Sequence, residues 1–226
     1  MNLDIVYQDE CLLVLNKPAG IPVHATHDPL RPHLQGVAEK VLGTKLVLHH
    51  RLDRDTTGLV IFGIDPTYNK AMTDLFRDRS VKKHYWAVVD GLWLDEWKRV
   101  DTYIDKIAGG RWVNVRGHAG KNAKPAHTEF RVLGSNADKT WIEASPLTGR
   151  THQIRLHCLF KNHPILGDVL YHGQKGGWKY PMALHARRLV FKHPKTGQEL
   201  SLEATAPDYW DGHYLKGLGS MARTHL

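Results

Sequence analysis

Apolar residues along this chain fall in short runs and alternations, and only two stretches carry a helical period. Asp4 to Gln8 and Cys11 to Asn16 flank Asp9-Glu10 and predict a β-hairpin closed by a two-residue turn. Leu59 to Ile64 is a continuous apolar run, which predicts a buried strand. Asp65-Pro66 then has the form of an N-cap followed by proline at the first helical position. Tyr68, Met72, Leu75 and Phe76 follow at helical spacing, so the pattern predicts a helix from 66 to about 79. Further strands are predicted at Lys83 to Val89, Ala126 to Leu133, Thr140 to Ser145, Leu184 to Phe191 and Glu199 to Ala204. Gly91 ends the first of these, and His193-Pro194-Lys195-Thr196-Gly197 turns between the last two. A second helix, from about Thr151 to Lys161, has apolar residues nearly all round, which predicts burial on two sides. Residues 92 to 123 mix Trp, Lys, Arg and Gly without a clear period and read as an insertion or a flexible basic strand pair. Strands outnumber helices and do not alternate with them. The pattern therefore predicts an α+β fold with a mostly antiparallel sheet, and not a doubly wound parallel one.

Composition narrows the class. The 226 residues are 42% hydrophobic and 24% charged, an ordinary globular balance large enough for one big domain or two small ones. Lys and Arg number 31 against 23 Asp and Glu, a formal charge of +8. That excess favours a polyanionic partner (RNA, DNA or an acidic membrane surface), although a modest excess also serves plain solubility. The two cysteines, Cys11 and Cys158, lie far apart and form no CxxC, as expected of buried thiols in a reducing compartment. The N-terminal apolar run is short and preceded by acidic residues, unlike a signal peptide, and no apolar stretch is long enough to cross a membrane. A cytoplasmic protein without membrane association is expected.

Several chemistries have no motif here. No GxGxxG opens a helix, and Gly120-Lys121 lacks the first glycine of a phosphate loop and is followed by Asn122. His50-Arg51-Leu52-Asp53 resembles the kinase catalytic loop only superficially, because the Gly-rich loop and DFG are missing. There is no HExxH. His152 and His157, five apart, do not share a helical face, so no metal site is expected. A serine-hydrolase GxSxG is also missing.

Two dense polar segments remain. His49 to Gly58 runs straight into the predicted buried strand, and Asp53 within it is set between arginines. Neighbouring cations keep a carboxylate ionised, which suits a nucleophile or base near neutral pH. Taken alone, the segment also fits a surface salt-bridge loop. Leu147 to Arg155 places Arg150 on a glycine turn at a helix N-terminus, where first-turn N–H groups add positive potential for a carboxylate or phosphate. A plain capped helix accounts for the turn equally well.

Together these segments resemble the RluA-type RNA pseudouridine synthase family over nearly the whole chain. The resemblance runs through Tyr7-Gln8-Asp9-Glu10, Asn16-Lys17-Pro18-Ala19-Gly20, His50-Arg51-Leu52-Asp53 with Thr57-Gly58, and Lys82-Lys83-His84-Tyr85-Trp86-Ala87. It continues through Lys124-Pro125-Ala126-His127-Thr128, Gly149 to Arg155, His163 to Asp168 and Leu184-His185-Ala186. Each motif is weak alone; their order and spacing are specific. The resemblance implies an α+β fold with a long bent sheet and a central cleft, organised as one catalytic domain over 1–226 without a preceding S4-like module. It implies that Asp53 is the catalytic aspartate, Arg150 its cationic partner, and Tyr85 the aromatic that stacks on the target base. It implies that Arg51 fills the space left by a flipped base. Arg54, Lys82, Lys83 and Arg155 are further candidates for RNA contact, alongside the basic stretches Lys98-Arg99, Arg111 to Lys124 and Arg187-Arg188. Read without the resemblance, Tyr85 fits an ordinary core tyrosine. Asn162 stands where many members have glycine before His-Pro; asparagine also accepts a left-handed helix end, so the turn is expected to survive.

The implied reaction detaches a uracil from its ribose, turns it and rejoins it through C5, with no cofactor or metal. A single carboxylate can attack C1′ or remove the 2′ proton, and the residues do not choose between these routes. The base must leave its stack to react, so flipping is expected. The expected partner is RNA, transfer RNA or large-subunit ribosomal RNA or both, acted on by a monomer. Two other readings compete. One is a non-catalytic RNA-binding protein or RNA chaperone of the same fold. The other is a glycosidase using Asp53 and Asp55, which an extended segment would place on one face.

Overall fold

The computed structural model describes residues 2–28, 30–94, 97–107, 110–115, 122–172 and 180–218. Gly120 and Lys121, and much of the Arg111 to Lys124 stretch, lie outside the described residues. The chain forms two compact units, Met1–Lys83 with His185–Pro207, and His84–Leu184 with Asp208–Leu226. Among the described residues no helix is long and apolar enough to cross a membrane.

The first unit is built on strands β1 (Ile5–Gln8), β2 (Leu12–Lys17), β3 (Val47–Leu48), β4 (Thr57–Gly63), β10 (Leu184–Lys192, whose first residue belongs to the second unit) and β11 (Glu199–Glu203), with helices α1 (Leu34–Leu42) and α2 (Asn69–Arg77). The strands run in the order β1-β2-β4-β10, with β3 on β4 and β11 on β10. Among the described residues these neighbours pair antiparallel, except β4 with β10, which is parallel. β4 is buried along its whole length, as its unbroken apolar run predicts. Leu59 and Ile61 pack with Leu12, Val14, Met72 of α2, Leu189 and Phe191 in one core. Asp65 caps the turn Pro66–Tyr68 through the Thr67 N–H, and α2 follows directly. Helix α1 carried no pattern strong enough to be expected.

The hairpin turn is wider than the expected two residues. Gln8 stands opposite Leu13, and the Asp9 carboxylate accepts from the N–H groups of Cys11 and Leu12 (2.7 and 2.8 Å), bending the chain around itself. Its other oxygen accepts from the Tyr7 hydroxyl (2.6 Å) and His193 Nε2 (2.8 Å). The Cys11 sulfur lies within 4.8 Å of the Asp9 carboxylate and the His193 ring. With four donors already saturating the carboxylate, the group reads as a latch between the β1–β2 and β10–β11 turns.

The parallel contact depends on Gly58. Its φ is +105°, and a Cβ there would stand 2.3 Å from the Ala186 carbonyl oxygen. Only glycine lets β10 lie this close. Beside it the Thr57 hydroxyl meets His185 Nδ1 at 2.8 Å, while His185 Nε2 donates to Ala204 O.

The second unit holds β5 (Lys82–Asp90, whose first two residues belong to the first unit), β6 (Trp97–Lys106), β7 (Trp112–Val115), β8 (Lys124–Ser135) and β9 (Lys139–Pro146), with helix α3 (Gln153–Phe160). Their order is β5-β9-β8-β6-β7, antiparallel throughout. The patternless region therefore contains a strand pair, β6 with β7. Helix α3 is buried from Gln153 to Cys158, as its all-round apolar pattern predicts, and it starts two residues late because His152 takes a left-handed φ of 55°. Asn162 takes φ 60° at its far end, where His163 N–H donates to Cys158 O at 2.9 Å, so the helix stop survives without glycine.

Polar groups seat α3. Gln153 Nε2 donates to His127 O and Thr128 Oγ1 (both 2.9 Å), and His157 bridges Thr128 and Thr102 with its two ring nitrogens (2.9 Å each). Burial holds His157 down to about 4, and does the same for His185. An unfolded imidazole titrates near 6.5. Between these values the unfolded chain binds protons that the folded chain refuses, so stability is complete above about pH 6.5 and falls as pH drops toward 4. Each histidine is expected to contribute a loss on the order of 1 kcal/mol per pH unit. The urea midpoint is therefore expected to fall from pH 7 to pH 5, and to fall less steeply in His157→Gln. A pH-independent midpoint would contradict this. Gly58→Ala is expected to cost more than about 3 kcal/mol, read in the same melts.

Candidate active site

Asp53 sits in a tight turn, not in an extended segment. Its carbonyl accepts from Thr56 N–H (3.2 Å), and Thr56 and Thr57 are buried where β4 begins. The geometry assumed for an Asp53–Asp55 pair is thus lost, and Asp55 is engaged by the Arg54 guanidinium through two 3.2 Å bonds. This removes the basis of the glycosidase reading. Arg51 and Arg54 are exposed, and Asp53 is half-buried.

The loop is held from beneath by Lys17. The residue is 0% exposed, and its Nζ donates to the carbonyls of Arg54 (2.7 Å), Pro18 (2.8 Å) and Ile21 (2.9 Å). All three N–H groups of an ammonium are used. Burial pulls its pKa down to about 8, against the opposing charges of Asp55 and Asp53, so the cation persists at neutral pH. Gly20 N–H donates to the same Arg54 carbonyl (3.0 Å). Upstream of the turn, His50 Nε2 accepts from Ile61 N–H of β4 (3.0 Å) and its ring stacks on Phe76 of α2 at 4.8 Å. Burial pushes this imidazole down to about 3, so it is neutral. The Asp53 loop is thereby tied at both ends, to β4 and α2 on one side and to the β2 end on the other.

Sequence reasoning gave Lys17 no role beyond its place in a motif. A signal was present: the period of two puts Lys17 on the strand face of Leu13 and Leu15, both buried, where a charge requires a reason.

In the second unit Tyr85 lies on β5 opposite Ala144 and is 9% exposed. Arg150 is placed by Gln153, whose Oε1 accepts from Arg150 N–H (3.0 Å) and from the Thr148 hydroxyl (2.7 Å). Arg150 Nε also donates to Pro125 O at 3.0 Å. Gln153 is therefore a positioning residue that composition did not reveal. Arg155, a candidate for RNA contact, is committed elsewhere. It is 8% exposed, forms a bidentate pair with Asp168 (2.7 and 2.9 Å), and lies over the Tyr171 ring at 4.9 Å. Reaching a phosphate would strip a buried carboxylate of its partner, so we assign Arg155 to the framework. Of the lysines, Lys82 is exposed and Lys83 half-buried.

Removing the Lys17 amine would take that donor from the Pro18 and Ile21 carbonyls and leave the Arg54 carbonyl only the Gly20 N–H. Lys17→Met is expected to destabilise the fold by about 3 kcal/mol or more, measured by urea melts at pH 7. A loss below about 0.5 kcal/mol would show that the carbonyls find other donors.

Comparison with known proteins adds a family. A family model described as RNA pseudouridylate synthase matches residues 11–160. The chain is 36% identical over 210 residues to a ribosomal large subunit pseudouridine synthase C of Vibrio cholerae, covering 88% of this chain and 64% of that protein. The protein of the same name in Escherichia coli K12 is 34% identical over 212 residues, with 88% and 65% covered. The chain thus spans somewhat less than two thirds of these relatives. Among solved structures, human RNA pseudouridylate synthase domain containing 4 aligns with a TM-score of 0.74 at 31% identity, covering 92% of this chain and 90% of that one. Human RNA pseudouridylate synthase domain containing 1 shares the fold with a TM-score of 0.81 at 24% identity.

Proposed function

The chain belongs to the RNA pseudouridylate synthase family, and on that premise we propose that it isomerises specific uridines of structured RNA to pseudouridine. The substrate is large-subunit ribosomal RNA, transfer RNA or both. Residues 1–226 act as one catalytic domain, as a cytoplasmic monomer. The observation that carries the reading is Asp53, a carboxylate on a turn anchored by a buried ammonium and flanked by Arg51 and Arg54.

The reaction breaks the bond between C1′ and N1 of a uridine, rotates the base and forms a bond between C1′ and C5. The proton on C5 leaves and N1 gains one, so atoms and electrons balance without an oxidant or co-substrate. Asp53 serves as the nucleophile at C1′ or as the base that removes the 2′ proton. Either role requires an ionised carboxylate. Arg150, in the role that the family resemblance gives it, is a further cation for the reaction. Tyr85 offers an aromatic face for the uracil and a hydroxyl able to pass a proton. Arg51 takes the place of the flipped base, since a guanidinium both stacks and binds phosphate.

Tritium release from C5-labelled uridine tests this, with transcripts of transfer RNA and ribosomal RNA fragments as substrates. Release is expected from the wild type and none from Asp53→Asn, with RNA affinity retained in the variant. Tight binding with no release from any transcript by the wild type would instead favour an RNA-binding protein or chaperone.

A further inference from the structure

His152 departs from the residue type that its own turn favours. Gln153 N–H donates to Arg150 O at 3.1 Å, so residues 150–153 close a reverse turn. His152 is its third residue and has φ 55° and ψ 21°. That place in a turn favours glycine or asparagine, because a Cβ there crowds the following carbonyl. Among the described residues, three besides glycine are left-handed: Arg79, His152 and Asn162. Arg79 and Asn162 lie just past the ends of α2 and α3, where helices commonly stop this way. His152 stands instead at a helix start, two residues after Arg150. Among the described residues its imidazole makes no capping hydrogen bond to α3. A strained residue kept beside a group with a proposed chemical role is a pointer to function.

The imidazole is held from a distant point of the same unit. Its Nδ1 meets the Tyr171 hydroxyl at 2.8 Å, and the two rings stand edge to face at 5.6 Å. The hydroxyl donates onward to Trp112 O of β7 at 3.3 Å. It has one proton to give, so with that proton on Trp112 O the imidazole donates from Nδ1. Tyr171 is itself fixed on three sides. Its N–H donates to Asp168 Oδ1 (3.2 Å), the Arg155 guanidinium lies over its ring at 4.9 Å, and the ring packs against Ile104, Ala126 and Leu156. Arg155 is locked in turn by its bidentate pair with Asp168. His152 is thus tied to a post that belongs to the rigid framework.

We propose that the hydrogen bond between His152 and Tyr171 is a tether that keeps the 150–153 turn in its left-handed form, which makes His152 a positioning residue for Arg150. The inference rests on the reading of this chain as a pseudouridine synthase in which Arg150 serves the reaction, and it adds the group that aims that arginine. Two bonds fix Arg150 itself: its N–H donates to Gln153 Oε1 and its Nε to Pro125 O, both at 3.0 Å. Both depend on how the chain turns between Arg150 and Gln153, and the backbone at residue 152 sets that turn. Released from Tyr171, a histidine there relaxes toward the right-handed region and the turn opens. The imidazole acts through the turn and needs no contact with RNA.

The test pairs Tyr171→Phe, which deletes the hydroxyl and keeps the ring, with His152→Gly, which deletes the tether and relieves the backbone. Single-turnover pseudouridine formation at saturating RNA is expected to slow roughly tenfold or more in each, with RNA affinity within about threefold of the wild type. In an Arg150→Ala background neither substitution is expected to slow the residual reaction further, because the tether acts through that arginine. Wild-type rates in both variants would overturn the proposal. So would equal losses with and without Arg150, which would make the histidine structural only. Solvent exchange of the Arg150 Nε–H, followed by NMR in isotope-labelled protein, separates the tether from the synthase reading. That exchange is expected to quicken about tenfold or more in both variants. Quickened exchange in both, with a wild type that makes no pseudouridine in any transcript, would remove the enzyme and keep the tether. Unchanged exchange would overturn the tether whatever the wild type does.

Discussion

One buried ammonium underlies the arrangement of the first unit. Placing a charge at zero exposure is costly unless every donor finds an acceptor, and Lys17 meets that condition with three main-chain carbonyls at 2.7 to 2.9 Å. Two of the carbonyls, Pro18 and Ile21, belong to the turn just after β2; the third is that of Arg54, next to Asp53. The side chain thus joins a sheet strand to the turn that carries the carboxylate. It also brings positive charge under a loop rich in aspartate. The same group thus orders the turn that carries Asp53.

The second unit solves a different problem by similar means. Helix α3 is too short and too fully buried to be held by an amphipathic stripe. Its seat is built from Gln153, Thr128, His157 and Thr102, each bonded to the next, and Gln153 uses its remaining oxygen to fix the Arg150 turn. The buried Arg155–Asp168 pair closes the far side of the helix. Such networks are costly when half satisfied, which is why a single change in Gln153 or His157 would act well beyond its own contacts.

Much of this was legible in the sequence where local chemistry decides the outcome. The β4 run, the Asp65-Pro66 helix start and the Asn162 stop each follow from residue types whose backbone preferences are strong. The hairpin turn was misjudged because the Asp9 side chain, which widens it, competes with the main chain and leaves no periodic trace. The extended Asp53–Asp55 geometry failed for a related reason, since the turn is set by a lysine more than thirty residues away. Arg155 shows the limit of charge as a guide: an arginine in a basic motif resembles a phosphate contact until the distant Asp168 is placed against it. His152 shows the reverse case, where a residue given no role of its own in the sequence becomes conspicuous once its φ is known.

In the proposed reaction Lys17 is the group that places Asp53. The most direct measurement is the single-turnover rate of pseudouridine formation by Lys17→Met at saturating RNA, below the melting temperature of the variant. A loss of about a hundredfold or more is expected, as for a catalytic group displaced by roughly an ångström, with RNA affinity within about threefold of the wild type. A variant that remains folded, binds RNA and reacts at the wild-type rate would contradict the account.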